Sequence, residues 1–231
     1  MRRMHRIVLL LATLLPLVAA AAQDYDDFSE LDLSALLDQV VVTASKHEQK
    51  IGELPVTAHV ITAEQIAASG AIHIVELLRD IPGMDVVMTS ESMQDVSARG
   101  FNEAASNAVL VLVDGRSVYA DFYGVTFWEL LPISIDEIKA IEVILGPGSA
   151  YYGANAFACV INIITFGTDE LTGTRVRGVA ETSGTAKTTL MHTGGDAGLG
   201  WRVSSTQSRM VNLEEDRNEG NQFRGNGKLE W

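Results

Sequence analysis

Residues 160–164 read Val-Ile-Asn-Ile-Ile, an apolar run without the alternation of a half-exposed strand. Such a run belongs in a strand covered on both faces, so it requires a sheet inside a layered domain. Its one polar member, Asn162, must find hydrogen bonds within that interior. Residues 140–145 form a second apolar strand, and Gly146-Pro147-Gly148 follows it. Glycine reaches positive φ without steric cost and proline fixes its own φ, so this tripeptide forces a sharp, partly rigid turn. A phosphate-cradling loop would need a G-x-x-x-x-G-K-[ST] or G-x-G-x-x-G spacing, and neither is present.

The residues before this pair read as mixed α/β. Thr62-Ala63-Glu64-Gln65 fits a capping box, with Thr62 as N-cap and Gln65 at N3, and Gly70 closes a short helix. A second helix is predicted over residues 72–80, with Leu77, Leu78 and Ile81 inward and Pro82-Gly83 stopping it. Strands are predicted at 84–89 and 108–113. Asp114-Gly115 then turns the chain tightly into 116–119, a hairpin signal. Residues 135–139 form a helical turn leading into the strand at 140–145.

The start of the chain predicts export. Arg2, Arg3 and Arg6 precede an apolar stretch over 7–18, and Ala20 and Ala22 form an A-x-A cleavage pair before Gln23. Residues 1–22 are thus expected to be a cleaved signal peptide, too short to span a bilayer. Its removal takes three of 17 Lys+Arg and none of 30 Asp+Glu, leaving a net charge of −16. That balance excludes nucleic acid as a partner, since binding it needs Lys and Arg to replace counterions. No later segment reaches the roughly 18 apolar residues of a transmembrane helix, so a spanning role would need a β-barrel. Residues 23–38 are acidic and without clear period, and are expected to form a mobile arm. After it, Val40-Val41-Val42-Thr43 is strongly β-prone.

Beyond Gly167 the texture changes to long strand candidates at 175–183, 187–194, 199–211 and 223–231, rich in Gly, Thr and Ser. Trp201 and Val203 flanking Arg202 show the clearest alternation, the signature of a membrane barrel and equally of a soluble antiparallel sheet. Residues 212–222 read as a longer loop.

Catalysis and metal binding find little support. His47, His59, His73 and His192 have no ligand spacing, and there is no G-x-S-x-G, Cys-His pairing or carboxylate dyad. The chain is therefore expected to be neither an enzyme nor a holder of metal or cofactor. Cys159, the single cysteine, sits before Val160-Ile161 and is expected to pack as a small hydrophobe.

Five blocks carry a family resemblance: Asp38-Gln39-Val40-Val41-Val42-Thr43-Ala44, Ser97-Ala98-Arg99-Gly100-Phe101, residues 110–118, residues 138–156 and the run 160–165. In order and content they resemble the TonB box and plug signature of TonB-dependent outer-membrane receptors. The fold this implies is an α+β plug domain, a small mixed sheet with short helices, followed by the start of an antiparallel transmembrane β-barrel. Its expected divisions are a signal peptide at 1–22, an arm with the TonB box at 23–45, the plug at 46–168 and first barrel strands at 169–231. The family's barrel has about 22 strands. The 64 residues after 167 suffice for about four, so the chain reads as a fragment or a truncated product.

The resemblance also implies roles. Asp38, Gln39, Val40, Val41, Val42, Thr43 and Ala44 would add, as an unpaired strand, to the sheet edge of the TonB C-terminal domain in the periplasm. Arg99 would lock the plug to glutamates on the barrel wall. The family's second arginine of that lock falls on Leu145, so the plug would sit more loosely, or Arg99 would act as a local structural residue. The plug apices at 89–94 and 121–127 are the candidate ligand loops, with Ser90, Gln94, Phe122, Tyr123 and Phe127 as contacts or, equally, as barrel-wall packing. The function implied is energy-coupled uptake of a scarce solute, a ferric siderophore or other iron complex first, with outer-membrane lipid and TonB as partners. Alternatives are cobalamin or another nutrient through the same fold, or a plug-like soluble periplasmic binding protein. A signal-transducing receptor would need a further N-terminal domain, for which 23–38 leaves no room.

Overall fold

The computed structural model describes residues 40–41, 49–50, 56–90, 93–101, 108–153, 155–181, 184–196, 198–212 and 218–231. The predicted signal peptide and acidic arm lie outside these residues. Strands β1 (Val40–Val41) and β2 (Gln49–Lys50) pair antiparallel, so these two valines are not the unpaired strand expected.

The plug is built on a five-stranded sheet of β3 (Thr57–Thr62), β6 (Val109–Val113), β7 (Arg116–Ser117), β8 (Ile138–Leu145) and β9 (Cys159–Thr165), ordered β3-β8-β9-β6-β7. Only β6 and β9 run parallel among these neighbours. The unalternating run of β9 lies at the centre, as its composition requires. Cys159, Ile161 and Ile163 pack into the larger core with Val109, Val111, Ile141 and Val143, while Val160 joins Leu110, Leu112 and Ile144 on the opposite face. Each fully buried isoleucine contributes about 1.5–3 kcal/mol relative to exposure. Asn162 finds its partner, accepting from the Gly115 amide at 3.1 Å. Asp114 and Gly115 both take positive φ, at 48° and 75°, giving the predicted hairpin turn. The Asp114 carboxylate also accepts from the amide and hydroxyl of Thr165, both at 2.8 Å, which ties the turn to the end of β9.

Around the sheet lie helix α1 (Ala63–Ser69), the hairpin of β4 (Met84–Ser90) with β5 (Met93–Ala98), three 3-10 turns (Ile74–Leu78, Trp128–Leu130 and Ile135–Glu137) and helix α2 (Ser149–Tyr152). The predicted capping box of α1 is present, with Gln65 returning its side chain to the Thr62 amide at 2.9 Å and Gly70 closing at φ 66°. The helix predicted over 72–80 contracts to Ile74–Leu78. Glu76 takes the amides of Ile72 and His73 (2.8 and 3.1 Å), which fixes the start late, and Pro82-Gly83 ends the segment early.

Four long strands follow, β10 (Gly173–Ala180), β11 (Ala186–Asp196), β12 (Leu199–Asn212) and β13 (Asn218–Glu230), as an antiparallel meander. The loop expected at 212–222 narrows, because β12 and β13 stay paired out to Asn212 and Asn218. Strand hydrogen bonds can continue there without apolar side chains. Alternation runs over residues 202–209 of β12, where Arg202, Ser204, Thr206 and Ser208 are buried, the first two against Glu137 of the plug, and Val203 faces away, 55% exposed. Val176, Leu190, Phe223 and Leu229 share that outward exposure, so the polar face of the meander is the inner one. A soluble sheet packed on a domain would bury the opposite face.

Candidate functional site

Two regions carry the side chains singled out by sequence. The first is the loop between β7 and the 3-10 turn Trp128–Leu130. Its tight turn is closed by the Ala120 amide on the Val125 carbonyl, and by the Tyr123 and Gly124 amides on the Ala120 carbonyl, all at 2.9 Å. Gly124 supplies the positive φ, 71°, that the reversal needs. The turn presents Phe122 at 91% exposure, with Tyr123 and Phe127 beside it. Their rings form an edge-to-face ladder, Phe122–Tyr123 at 5.0 Å and Tyr123–Phe127 at 5.3 Å. Three stacked, solvated aromatics make a surface suited to a flat or apolar ligand. Trp128, next in sequence, turns inward and anchors the loop in the core.

The second region is the interface between plug and meander. Gln94, expected at the ligand apex, is buried there, and its amide donates to Glu129 at 2.7 Å. A side chain so committed is not available to ligand, and the pairing of β5 with β4 is what turns it inward. His73 Nδ1 lies 2.9 Å from the same Glu129 carboxylate, and Arg224 of β13 approaches its other oxygen at 3.5 Å. Burial pushes the Glu129 carboxyl up, but the bond and charge of His73, with Arg224 and Gln94, outweigh it and hold the group below the ordinary carboxylate value. Beside it, the buried Glu137 has four partners, three hydrogen-bond donors and the Arg202 guanidinium as an ion pair. The donors are the Ser134 amide (3.0 Å), Ser204 (2.6 Å) and Asn226 (2.9 Å), and Arg202 lies at 3.2 Å. No sequence motif pointed to Glu129 or Glu137. The signal was indirect: Trp-Glu and Asp-Glu pairs entering short turns, opposite strands whose mostly neutral inner positions each include a base.

Arg99 takes positive φ, 56°, and donates to the Leu145 carbonyl at 2.8 Å. It thus bonds within the plug, between β5 and the end of β8. Leu145 is buried in the core, where a charge would carry a desolvation cost. Ser90 ends β4. Of the TonB-box residues only Val40 and Val41 are described, and Asp38, Gln39, Val42, Thr43 and Ala44 lie outside the described residues. Cys159, at the start of β9, is fully buried, and burial pushes its thiol up to about 12. Among the described residues no three His, Cys, Asp or Glu side chains group to hold a metal ion.

A mixed-sheet plug packed against the polar inner face of an antiparallel meander defines the plugged-barrel class of fold. Residues 50–160 match the TonB-dependent Receptor Plug Domain family, and the chain belongs to the TonB-dependent receptors. It is 38% identical over 141 residues to a vitamin B12 transporter, BtuB, of Vibrio vulnificus, covering 60% of this chain and 22% of that protein. A BtuB of Photobacterium profundum is 35% identical over 129 residues, covering 55% and 20%. Among solved structures, a mutant ferric enterobactin receptor PfeA of Pseudomonas aeruginosa has a TM-score of 0.52 at 26% identity, over 74% of this chain and 26% of that one. The pyoverdine receptor FpvA of Pseudomonas aeruginosa PAO1, bound to pyoverdine, shares the fold at a TM-score of 0.63 and 15% identity, over 87% and 29%. The chain therefore spans about a fifth of the length of the curated relatives it matches. This family is made of transporters and receptors rather than enzymes.

Proposed function

We propose that this chain serves TonB-coupled uptake of a bulky, scarce solute across the outer membrane, after export by the signal peptide at 1–22. The observation that carries the reading is the exposed ladder of Phe122, Tyr123 and Phe127 on a plug that is fixed to the meander through nearby Glu129. The ladder is the ligand contact, joined by Ser90, and an iron complex such as a ferric siderophore is the solute. The similarity to ferric enterobactin receptors supports this choice. A corrinoid is the second reading, favoured by the 38% identity to a vitamin B12 transporter. The strand from Val40 to Thr43, with Asp38, Gln39 and Ala44, is captured by the TonB C-terminal domain through main-chain hydrogen bonds. Capture requires that the β1–β2 pairing open, a small cost for two residues of ladder.

In the receptor that carries this chain, deleting residues 40–43 is expected to abolish uptake of labelled ferric siderophore or cyanocobalamin while leaving surface binding intact. Unchanged uptake would rule out the TonB-box assignment. Recovery of the mature protein wholly in soluble periplasm would rule out the membrane reading.

A further inference from the structure

We propose that the plug is fastened to the wall by a lock of reversed polarity, with the acids on the plug and the bases on the first strands, and that this flank stays closed during uptake. Four ion pairs cross between plug and meander among the described residues, and all have the same sense. They are Asp136–Arg177 at 3.0 Å, Glu137–Arg202 at 3.2 Å, Glu129–Arg224 at 3.5 Å and Asp114–Lys228 at 3.7 Å. Strand β11 adds Lys187, whose ammonium donates to the Ile72 carbonyl at 2.9 Å. Every strand of the meander thus directs a base at the plug.

Glu137 and Arg202 form the centre of this lock, at 1% and 2% side-chain exposure. The carboxylate's three hydrogen-bond donors and its ion-pair partner Arg202 come from the plug, β12 and β13, so it cannot leave without breaking all of these contacts together. Arg202 also donates to the Phe166 carbonyl at 2.7 Å, which joins the strand to the segment linking plug and barrel. Arg99 meanwhile is bonded to Leu145 inside the plug. Residue 145, being apolar and buried, adds no charge to the wall. Among the described residues, the ion pairs that hold plug to meander are therefore those of the reversed set. Glu137–Arg202 is the buried member of the set, and the charge-assisted bonds networked around it strengthen one another. Deformation of the plug for passage of solute then occurs along a flank other than the one facing β10–β13. That last step rests on the uptake reading above.

The test uses the whole receptor in the outer membrane of its host. The hydroxyls of Ser134 and Thr189 lie 3.5 Å apart across the interface, so the variant Ser134→Cys, Thr189→Cys can tether plug to β11. The disulfide is expected to form. Uptake of labelled cyanocobalamin or iron-loaded enterobactin, whichever the wild type accepts, should stay within about twofold of the reduced form. A loss of about tenfold or more that reductant reverses would overturn the closed flank, and failure of the cysteines to join would overturn the contact. A second variant, Glu129→Gln, Asp136→Asn, Glu137→Gln, is expected to lower the inhibitory concentration of vancomycin at least about fourfold at wild-type receptor abundance, through a loosened plug. Unchanged resistance would overturn the lock. If the wild type takes up neither probe the uptake reading fails, whereas disulfide formation and vancomycin entry still judge the lock.

Discussion

Replacing Glu137 by glutamine preserves the side chain's shape and removes the charge that three hydrogen-bond donors and the Arg202 guanidinium share. The new amide has one tolerable orientation. Its oxygen faces Arg202 and Asn226, and its NH2 faces Ser204, whose hydroxyl can turn and accept. The Ser134 amide, formerly bonded at 3.0 Å, is then left opposite a donor. Arg202, at 2% exposure, keeps neutral acceptors only. Removing one member of a buried pair costs about 3–5 kcal/mol. The retained bond from Arg202 to Phe166 favours the lower end, about 3 kcal/mol, or roughly a hundredfold larger population of the unseated plug. Hydrogen exchange on the whole receptor reads this directly at the Phe166 amide, which bonds the Glu137 carbonyl at 3.0 Å. Its protection is expected to fall about a hundredfold, with no change for Glu64→Gln on the exposed face of α1. A fall of less than about threefold would refute the assignment of Glu137 as a stabilising centre.

Alanine at Phe122, Tyr123 and Phe127 together should weaken surface binding of the transported solute about tenfold or more without lowering receptor abundance, since the loop is anchored by Trp128; unchanged binding on whole cells would remove the ladder from the ligand site. Thr62→Ala should cost about 1 kcal/mol of plug stability by removing the N-cap of α1, measured as faster exchange of the Gln65 amide. The Glu129 carboxyl is held below its ordinary value of 4.5, so its pairing stabilises the interface above that pH and is lost as pH falls through the depressed value. Protease protection of the plug should thus be flat from neutral pH to about 5 and decline below it, and less steeply so in Glu129→Gln. Cys159, with its thiol pushed to about 12, should resist alkylation at pH 8 until the receptor is unfolded.

Sequence determined those features whose physics is local. The unalternating run of β9, the positive-φ turn at Asp114-Gly115 and the capping box from Thr62 to Gln65 each need only a few neighbouring residues, and each lies where predicted. Strands β3 and β5 were not legible. Their side chains neither alternate clearly nor form an apolar run, and they are strands because β8 and β4 offer them edges. The same cause moved Gln94 from a supposed apex to a buried bond with Glu129. Exposed aromatics at 122, 123 and 127 were readable as a candidate surface, but not their stacking. The four acid–base pairs across the interface join residues 41 to 114 positions apart, and no spacing rule reaches that far. Their partners are chosen by strand register, because the period of two sends Arg202, Arg224 and Lys228 inward only once the meander has docked. The chain's own residues thus fixed the plug's centre, its turns and its family, while tertiary packing alone decided which charges hold that plug in place.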